Sequence, residues 1–560
     1  MNFKTISTIL TILSLDLLAF SSPLQNKEYS ADVTDISNNN EIEKSQNTTF
    51  SIDLTDKTEV IDISSEEEEI VIDDQDVEEL SEIDSSVEDE ENVCNTKECI
   101  EVSNNLLNSI DESVNPCEDF YQFACGNYIK NHPVSKKETI FRNFDSSGES
   151  NKQKILDIVK GDYKPNKKLS QQDQEKDKFL FNQLKSFFKS CVDVDSINKK
   201  GGQPMIDLLN RFKLDEMKDK LNDPNELAKV LAKIHIIKKN GFSLSESFFS
   251  PLFNMEISVN SDSDGFSIIN VLYQSNTIIG YEKEPHKKVL SAIFKDSERD
   301  FDKMYDSAFQ FDKKLLYQNN ENNQNVDPNP NEMVNVKTLN EKYPNINWKT
   351  YLEEKYDSIG MKEMINDDTI VFNKNIAYIK NLNKIIGETD GETLANYLEM
   401  YIIFDNLNLL PEINDLISTE KRNREDYCVE KINVYMYDLV GKYFVEQNLP
   451  PSKKQYAEKV LEYIKQSMIN RIPKVEWLDD ETIEYAIKKV EAMDSYVGYT
   501  ESSINLDIFM KNYGNLTLSD DDYFNNAINV FENNNNNELK YVKSTKDDLE
   551  EIQLPPQVII

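Results

Sequence analysis

Six cysteines and three histidines are the residues of this chain best suited to covalent or metal chemistry. Cys117 and Cys125 stand eight positions apart in the aromatic-rich segment NPCEDFYQFACGNYIKNHP, residues 115–133. If the stretch between them is helical, their α-carbons lie about 12 Å apart. A disulfide needs α-carbons within roughly 7 Å of each other, so we expect that these two cysteines do not bond each other.

The three histidines lack the spacing of a zinc-binding helix. Two histidines bind one zinc ion from a helix when they stand four positions apart on one face, and His132, His235 and His286 are far apart in sequence. His132 falls in a predicted loop, and the amphipathic run 225–239 predicts a structural, hydrogen-bonded role for His235. The charged neighbours of His286 predict a solvated position. A site built from distant Asp, Glu and Cys side chains is the remaining alternative.

The chain is strongly acidic. Its 560 residues include 102 acidic and 62 basic side chains, which gives a formal net charge of −40. Residues 56–91 hold eighteen acidic side chains and one lysine, so this segment alone carries −17. Because this charge repels phosphate backbones and anionic lipids, we expect neither nucleic acid nor an anionic membrane surface as a partner.

Residues 1–22 have the pattern of a secretory signal peptide. MNFKTISTILTILSLDLLAFSS contains a lysine, an apolar run from Ile6 to Phe20 and then small residues. The run is shorter than the roughly 20 apolar residues that span a bilayer, and it contains Asp16. No later segment has the length and apolarity of a membrane span. We therefore expect a secreted protein with disulfides; anchoring by an uncleaved signal is the alternative.

The segment between the predicted signal peptide and Cys94 has a composition of its own. Residues 23–93 are rich in Ser, Asn, Asp and Glu, which predicts a disordered acidic linker because such a segment buries little apolar surface. Within it, EEEEIVIDDQD at 66–76 resembles a SUMO-interacting motif, which adds a strand to a partner's sheet. A secreted protein does not meet that partner, so a solvated spacer is the favoured interpretation.

From Cys94 to Ile560 the sequence predicts a mainly α-helical domain with a few short strands. Only 14 glycines occur in the whole chain, which argues against an all-β fold. Apolar residues repeat at helical intervals in four segments: 177–191, 225–239, 391–407 and 452–472. Residues 246–300 are the best candidates for strands. The asparagine-rich tracts 318–332 and 533–537 predict surface loop insertions.

Five segments between residues 94 and 530 resemble successive landmarks of the neprilysin and endothelin-converting-enzyme family. They follow the family's order and spacing: NPCEDFYQFACGNYIKNHPV, FFKSCVDVDSINKKGGQPM, INWKTYL, YCVEKINVYMYDLVGKYFVEQN and WLDDETIEYAIKKVEAMDSYVGY. The resemblance implies a zinc metalloendopeptidase, membrane-anchored or secreted, that cleaves peptides before large apolar residues. It also implies a mainly helical, two-lobed shell around the site.

The family's zinc site is an HExxH helix, with a glutamate on a later helix as third ligand. This sequence contains no HExxH. The resemblance therefore implies the large helical domain without the thermolysin-like catalytic part, so that zinc and peptides belong to the complete enzyme. STKDDLEEIQLPPQVII at 544–560 resembles the approach to the family's substrate-binding strand. We expect a truncated product or a misjudged gene end, inactive alone; the alternative is a non-catalytic paralogue that binds peptides or proteins.

The resemblance also implies how the cysteines pair. Two disulfides are expected within the chain: Cys94 with Cys99, and Cys191 with Cys428. In the family, the positions of Cys117 and Cys125 bond cysteines near the C-terminus, which this sequence lacks. We therefore expect two unpaired thiols, either of which can form a disulfide with another chain.

Three further residues carry weaker expectations. The family places an arginine near residues 138–145 that holds a substrate's carboxylate, a role suited to a guanidinium group. Arg142 falls about two positions from that place, so its assignment to substrate binding is an expectation only. Asn47 and Asn515 stand in Asn-x-Thr sequons and are expected to carry glycans in a secreted protein.

Overall fold

The computed structural model describes residues 94–133, 143–239, 250–259, 267–272, 282–295, 297–322, 332–373, 376–418, 422–500 and 504–540. The predicted signal peptide, the predicted acidic linker, Asn47 and Arg142 lie outside these residues. Residues 94–104 fall in one compact unit, and the described residues from Asn105 onward fall in a second. The first of these units contains a disulfide between Cys94 and Cys99.

Helices make up most of the described chain. In its first part they are Lys97–Ser109, Phe120–Asn131, Asn143–Lys160, Gln171–Val192, Val194–Lys200, Gln203–Asn210, Leu214–Met217, Pro224–Ile236, Lys283–Ile293 and Phe301–Asn322. In its second part they are Val336–Lys342, Trp348–Asp357, Ile376–Gly387, Gly391–Asp405, Pro411–Asn414, Arg424–Tyr435, Tyr437–Asn448, Pro451–Arg471, Asp480–Glu491, Leu506–Tyr513 and Tyr523–Lys540. Each of the four helices predicted from apolar periodicity is present, so these predictions are confirmed.

Capping side chains explain where several helices begin. Asp223 precedes a proline at the first helical position, and its carboxylate accepts the backbone N–H groups of Asn225 and Glu226 at 2.7 and 3.2 Å. Asp390 accepts the N–H group of Thr393 at 2.8 Å in the same way. These N–H groups have no partner within the helix, so a side-chain acceptor fixes the starting residue.

A small four-stranded sheet accompanies the helices. Its strands are β1 Asn254–Val259, β2 Ser267–Leu272, β3 Glu332–Asn335 and β4 Ile370–Asn373, in the order β1-β2-β4-β3. The β1–β2 and β3–β4 pairs are antiparallel and the β2–β4 pair is parallel. The prediction of strands within 246–300 is confirmed. The other two strands were not predicted, because four residues are too few to show an alternating pattern.

The helix Pro224–Ile236 packs against the helix Trp348–Asp357, and aromatic rings fill their interface. The ring of Phe253 lies 5.0 Å from that of Trp348 and 5.1 Å from that of Tyr351, measured between centroids. All three side chains are fully buried or nearly so. This packing fixes the surroundings of His235, one of the sequence-predicted candidates.

The asparagine tract 533–537 is helical, so the prediction of a surface loop there is wrong. It lies inside the helix Tyr523–Lys540, where side-chain amides donate to carbonyl groups outside this helix. Asn534 donates to Tyr435 at 2.8 Å, and Asn535 donates to Lys238 at 2.8 Å. The carbonyl of Tyr435 is at a helix C-terminus and lacks an intrahelical partner, which the Asn534 amide supplies. Composition alone does not reveal such tertiary partners.

The other asparagine-rich tract, 318–332, was also predicted as a surface loop. The helix Phe301–Asn322 continues into its first residues, and β3 begins at its last residue, Glu332. The prediction is therefore wrong at both ends of the tract, and residues 323–331 lie outside the described residues. Polar composition did not reveal that the helix continues into the tract.

Candidate functional site

Cys117 and Cys125 carry free thiols in the structure. Cys117 is exposed in a turn before the helix Phe120–Asn131, which Asp119 caps by accepting the N–H group of Gln122 at 2.9 Å. Cys125 is half-buried within that helix. The structure does not join the two cysteines to each other, and the exposed Cys117 thiol is accessible to a second chain.

The other four cysteines are bonded in the pairs that the resemblance implied. Cys191 and Cys428 are fully buried, and their disulfide joins the helices Gln171–Val192 and Arg424–Tyr435 with α-carbons 5.9 Å apart. The Arg424 guanidinium adds a second link, because its Nε donates to the carbonyl of Cys191 at 2.8 Å. This disulfide connects segments 237 positions apart in sequence.

His235 has a structural role, as the sequence predicted. It is fully buried, and its two ring nitrogens contact the Tyr351 hydroxyl at 2.7 Å and the Pro251 carbonyl at 3.0 Å. Because a carbonyl only accepts, Nε2 donates to Pro251 and Nδ1 accepts the hydroxyl proton of Tyr351. Burial lowers the pKa of His235 well below its usual range. Both nitrogens are therefore occupied in a neutral ring.

His286 is buried, so the prediction of a solvated surface position is wrong. It lies in the helix Lys283–Ile293, where its ring packs 4.5 Å from Phe404 and 5.4 Å from Tyr305. Its Nδ1 donates to the carbonyl of Glu282 at 2.6 Å, and burial lowers its pKa. Successive helical positions point about 100° apart, so charged neighbours in sequence do not define the face on which a residue lies.

The histidines do not come together as a metal site. His132 is exposed at the end of its helix, where Nδ1 donates to the Tyr128 carbonyl at 2.9 Å. Among the described residues, no group of three His, Cys, Asp or Glu side chains is arranged to hold a metal ion. A catalytic zinc needs three such ligands around an open position, so the described part of this chain does not fit a zinc site.

Lys355 is a buried lysine at the junction between helices. It lies one turn after Tyr351, is 2% exposed, and its ammonium group has no hydrogen-bond or ion-pair partner among the described residues. Burial, together with repulsion from Lys238, lowers its pKa from 10.5 to about 7, against the opposing attraction of Glu538. An ammonium group in such a place loses hydration without gaining a partner. The folded state therefore favours the neutral amine.

Lys355 is expected to make the free energy of unfolding rise with pH between about 7 and 10.5. Its pKa is lower in the folded chain, so the unfolded chain binds more protons in this window and stability increases with pH. We expect about 2 kcal/mol from this group between pH 7 and pH 9. Denaturant titrations at both pH values should show that Lys355→Met loses this increment. Lys349→Met, at a half-buried position on the same helix where the ammonium group pairs with Asp367, should retain it; equal pH dependence in wild type and Lys355→Met would contradict the assignment.

An exposed apolar surface lies on a helical hairpin. The helix Pro451–Arg471 packs against Asp480–Glu491, and a short 3-10 turn, Ile472–Lys474, connects them. No residue of Pro451–Arg471 is buried. Its outer face holds an apolar groove of about 730 Å³, which we call the hairpin groove, lined by Val460, Tyr463, Ile464, Ser467, Met468, Arg471, Ile472 and Val475.

The helix that carries the hairpin groove is basic, in an acidic protein. Residues 451–474 contain six Lys or Arg and two Glu, a net charge of +4, whereas the whole chain carries −40. Of the residues that line the groove, only Arg471 is charged, and it is exposed. Sequence analysis missed this surface. The signal for it was the apolar series Tyr456, Val460, Tyr463, Ile464, Met468, which lies on one helical face while a second apolar face already packs against the partner helix.

Comparison with known proteins assigns the fold to a family. Residues 116–500, more than half of the chain, match the family model described as peptidase family M13. This chain belongs to peptidase family M13. The resemblance to neprilysin and endothelin-converting enzymes seen in the sequence is thereby confirmed, as is the mainly helical fold.

The curated family M13 relatives are longer than the matched region. Neprilysin-3 of Drosophila melanogaster is 24% identical over 473 residues, which cover 78% of this chain and 57% of that protein. Endothelin-converting enzyme 1 of Rattus norvegicus is 22% identical over 462 residues, which cover 78% and 58%. This chain therefore spans less than two thirds of the length of either relative.

Solved structures share the fold. The zinc metalloprotease of Mycobacterium tuberculosis in its open state has a TM-score of 0.60 at 15% identity, covering 80% of this chain and 67% of that chain. PepO of Lactobacillus rhamnosis has a TM-score of 0.54 at 12% identity, covering 77% and 66%. These matches support the family M13 fold of this chain. Arg142 lies outside the described residues, so its assignment to substrate binding stays a prediction.

Proposed function

We propose that this chain forms the helical portion of a neprilysin-like zinc metalloendopeptidase. The match to peptidase family M13 over residues 116–500 is the observation that carries this proposal. In such an enzyme the helices form a shell that encloses peptide substrates, while the zinc site lies in a further portion. The described residues supply helical walls, two disulfides and an open apolar groove.

We expect that the chain alone does not hydrolyse peptides. Catalytic zinc requires three protein ligands and an open position for water, and two of the three histidines are buried and hydrogen-bonded elsewhere. Purified full chain should be incubated with zinc and a fluorogenic peptide that carries a large apolar residue. No chelator-sensitive cleavage is the expected result, with a family M13 enzyme of full length as positive control. Turnover that a chelator abolishes and zinc restores would contradict the proposal.

The hairpin groove favours a second candidate function, a secreted paralogue that binds peptides or proteins without cleaving them. An apolar groove of about 730 Å³ with Arg471 at its rim has the features of a peptide-binding surface, since a guanidinium can pair with a carboxylate. The transcript sequence beyond the codon for Ile560 distinguishes the two candidates. An in-frame HExxH favours the enzyme, and its absence favours the binding protein.

We propose that the protein is secreted and glycosylated. Among the described residues, no helix combines the length and apolarity that crossing a bilayer demands. Asn515 is exposed in the turn after the helix Leu506–Tyr513, in an Asn-x-Thr sequon, and an exposed sequon is accessible to glycosylation. Cys117, exposed and unpaired, is the candidate for a disulfide with another chain.

The glycan on Asn515 gives a direct test of export. Protein recovered from the medium of secreting cells is expected to shift to a lower mass after endoglycosidase treatment. Asn515→Gln should make this mass shift smaller by the mass of one glycan. Asn470 is an exposed asparagine outside any sequon, so Asn470→Gln should leave the mass shift unchanged. Recovery of intact, unglycosylated chain from the cytosol would contradict secretion.

A further inference from the structure

Lys238 and Lys355 are two buried lysines, which we call the lysine pair. Lys355 is 2% exposed and Lys238 is 8% exposed. Lys355 lies in the helix Trp348–Asp357, and Lys238 follows the helix Pro224–Ile236, which packs against it. Lysine is almost never buried to this degree without a partner of opposite charge. A buried polar group that lacks a partner indicates strain, a catalytic role, or a bound water or ion.

The contacts of the lysine pair leave most of its hydrogen-bond donors unused. An ammonium group has three N–H donors. The ammonium group of Lys238 contacts the Met255 carbonyl at 3.4 Å, whereas that of Lys355 contacts no acceptor among the described residues. Neither lysine forms an ion pair with a described carboxylate. The hydroxyl of Tyr356, the next residue along the helix, is also buried without a hydrogen-bond partner there.

The charges around the lysine pair do not balance when both amines are protonated. Two charged groups act on Lys355: Lys238 repels its ammonium group, and the half-buried Glu538 attracts it from the helix Tyr523–Lys540. His235 contributes no charge, because both of its ring nitrogens are occupied in a neutral ring. One carboxylate therefore acts on two ammonium groups. One monovalent anion would restore neutrality and supply the acceptor that Lys355 lacks.

Burial limits the size of this anion. Because Lys355 is only 2% exposed, a bulky organic anion does not reach its ammonium group, whereas a monatomic anion needs little more room than a buried water molecule. Hydrogen bonds in which the donor or acceptor is ionised are about twice as strong as those between neutral groups. A small halide therefore suits the site better than a water molecule, which brings no negative charge.

We propose that the lysine pair binds a chloride ion in the interior of the helical domain. The ammonium group of Lys355 donates to the ion, and that of Lys238 supplies the second positive charge. Bound chloride holds Lys355 in its protonated form, so the pH dependence given above for Lys355 belongs to the chain without chloride and should shrink when chloride is present. This inference is independent of the proposed peptidase function, because it rests on the burial, contacts and charges of these two residues.

The chloride dependence of stability tests the proposal in the full chain. Urea denaturation is measured at about 10 mM and about 100 mM chloride, with gluconate, an anion too large for the site, keeping the ionic strength constant. At pH 7 the folding equilibrium constant should rise about fivefold, the mass-action result for a dissociation constant near 10 mM. At pH 9 it should rise less than about 1.5-fold, because the Lys355 amine, whose pKa is lowered to about 7, is then mostly neutral.

Variants assign the chloride effect to the lysine pair. Lys355→Met should abolish the rise at pH 7, and Lys238→Met should reduce it. Lys349→Met is the matched control, because it removes an ammonium group that already pairs with Asp367 at 2.8 Å, and it should keep the full rise. The comparison of pH 7 with pH 9 needs wild type alone, so it tests the proposal even if a variant does not fold.

Three results would each overturn the proposal. Wild type that gains no stability from chloride at pH 7 would show that the lysine pair holds no chloride ion. An equal gain at pH 9 would show that binding does not use the ammonium group of Lys355. A full gain in Lys355→Met or in Lys238→Met would show that chloride acts elsewhere on the protein.

Discussion

Replacing Cys191 and Cys428 together by alanine is expected to lower the free energy of unfolding by about 5 kcal/mol. The disulfide closes a loop between positions 237 residues apart, and in the chain-entropy model the stabilisation grows with loop length. Both residues are fully buried, so the substitutions also leave a small cavity in the core. Urea denaturation of the oxidised wild type and the double variant, at one pH, measures the difference.

The disulfide between Cys94 and Cys99 is the matched control. It closes a loop between positions only five residues apart, so its removal should cost less than removal of the long-range disulfide. Peptide mapping without reduction checks the pairing itself. A fragment that joins Cys191 to Cys117 or Cys125 would contradict the assigned pairing, as would equal losses of stability in the two double variants.

Lys442→Met is expected to destabilise the fold by about 3–5 kcal/mol, the usual cost of leaving a buried charge without its partner. The side chains of Lys442 and Asp177 are 2% and 1% exposed, and Nζ lies 2.8 Å from the carboxylate. Lys442 also pairs with Glu446 at 2.9 Å, and the hydroxyls of Tyr163 and Tyr443 donate to Asp177 at 2.8 and 3.0 Å. Loss of the ammonium leaves a buried carboxylate with hydroxyl donors but no positive charge.

Two further variants separate burial of the charge from loss of packing. Lys442→Met combined with Asp177→Leu removes both charges and should cost less than Lys442→Met alone. Lys488→Met breaks an ion pair whose side chains are 66% and 70% exposed, so it should change stability little. A Lys442→Met protein with the wild-type unfolding midpoint would show that the buried pair does not contribute.

Local signals account for much of the helical architecture that was predicted. Apolar periodicity predicted helices at 177–191, 225–239, 391–407 and 452–472, and the structure has helices at 171–192, 224–236, 391–405 and 451–471. Periodicity succeeds here because each helix has at least one face that packs on a neighbour. The start of Pro224–Ile236 is also readable, since Asp223 and the following proline form a standard helix N-terminus. The family landmarks added the long-range relation between these segments, which periodicity does not contain.

The failed predictions involve tertiary contacts. His286 was assigned to the surface from its charged neighbours, yet its ring packs against Phe404, which lies 118 positions further along the chain. The asparagines at 533–537 were assigned to a loop from their composition, yet Asn535 is 2% exposed and donates to Lys238. Both positions are stabilised by partners that are distant in sequence, which no local pattern reports.

The hairpin groove was missed for the opposite reason. Its apolar residues have regular helical spacing, which predicts a helix at 452–472 but does not show which of its apolar residues stay exposed. In the structure, one face of Pro451–Arg471 packs against Asp480–Glu491 while the other remains exposed. A helix with two apolar faces is expected to pack against two partners. Among the described residues, Pro451–Arg471 has a packing partner on one face only, the helix Asp480–Glu491.

Zinc binding by the purified chain is the most direct test of the proposed function. If, as proposed, this chain supplies the helical portion of a family M13 peptidase and not the zinc ligands, dialysis against zinc followed by metal analysis should leave no stoichiometric zinc on the protein. The same measurement on variants His132→Ala, His235→Ala and His286→Ala should then give the same baseline. One tightly held zinc per chain, lost in any of these variants, would contradict the account and would place a metal site within this sequence.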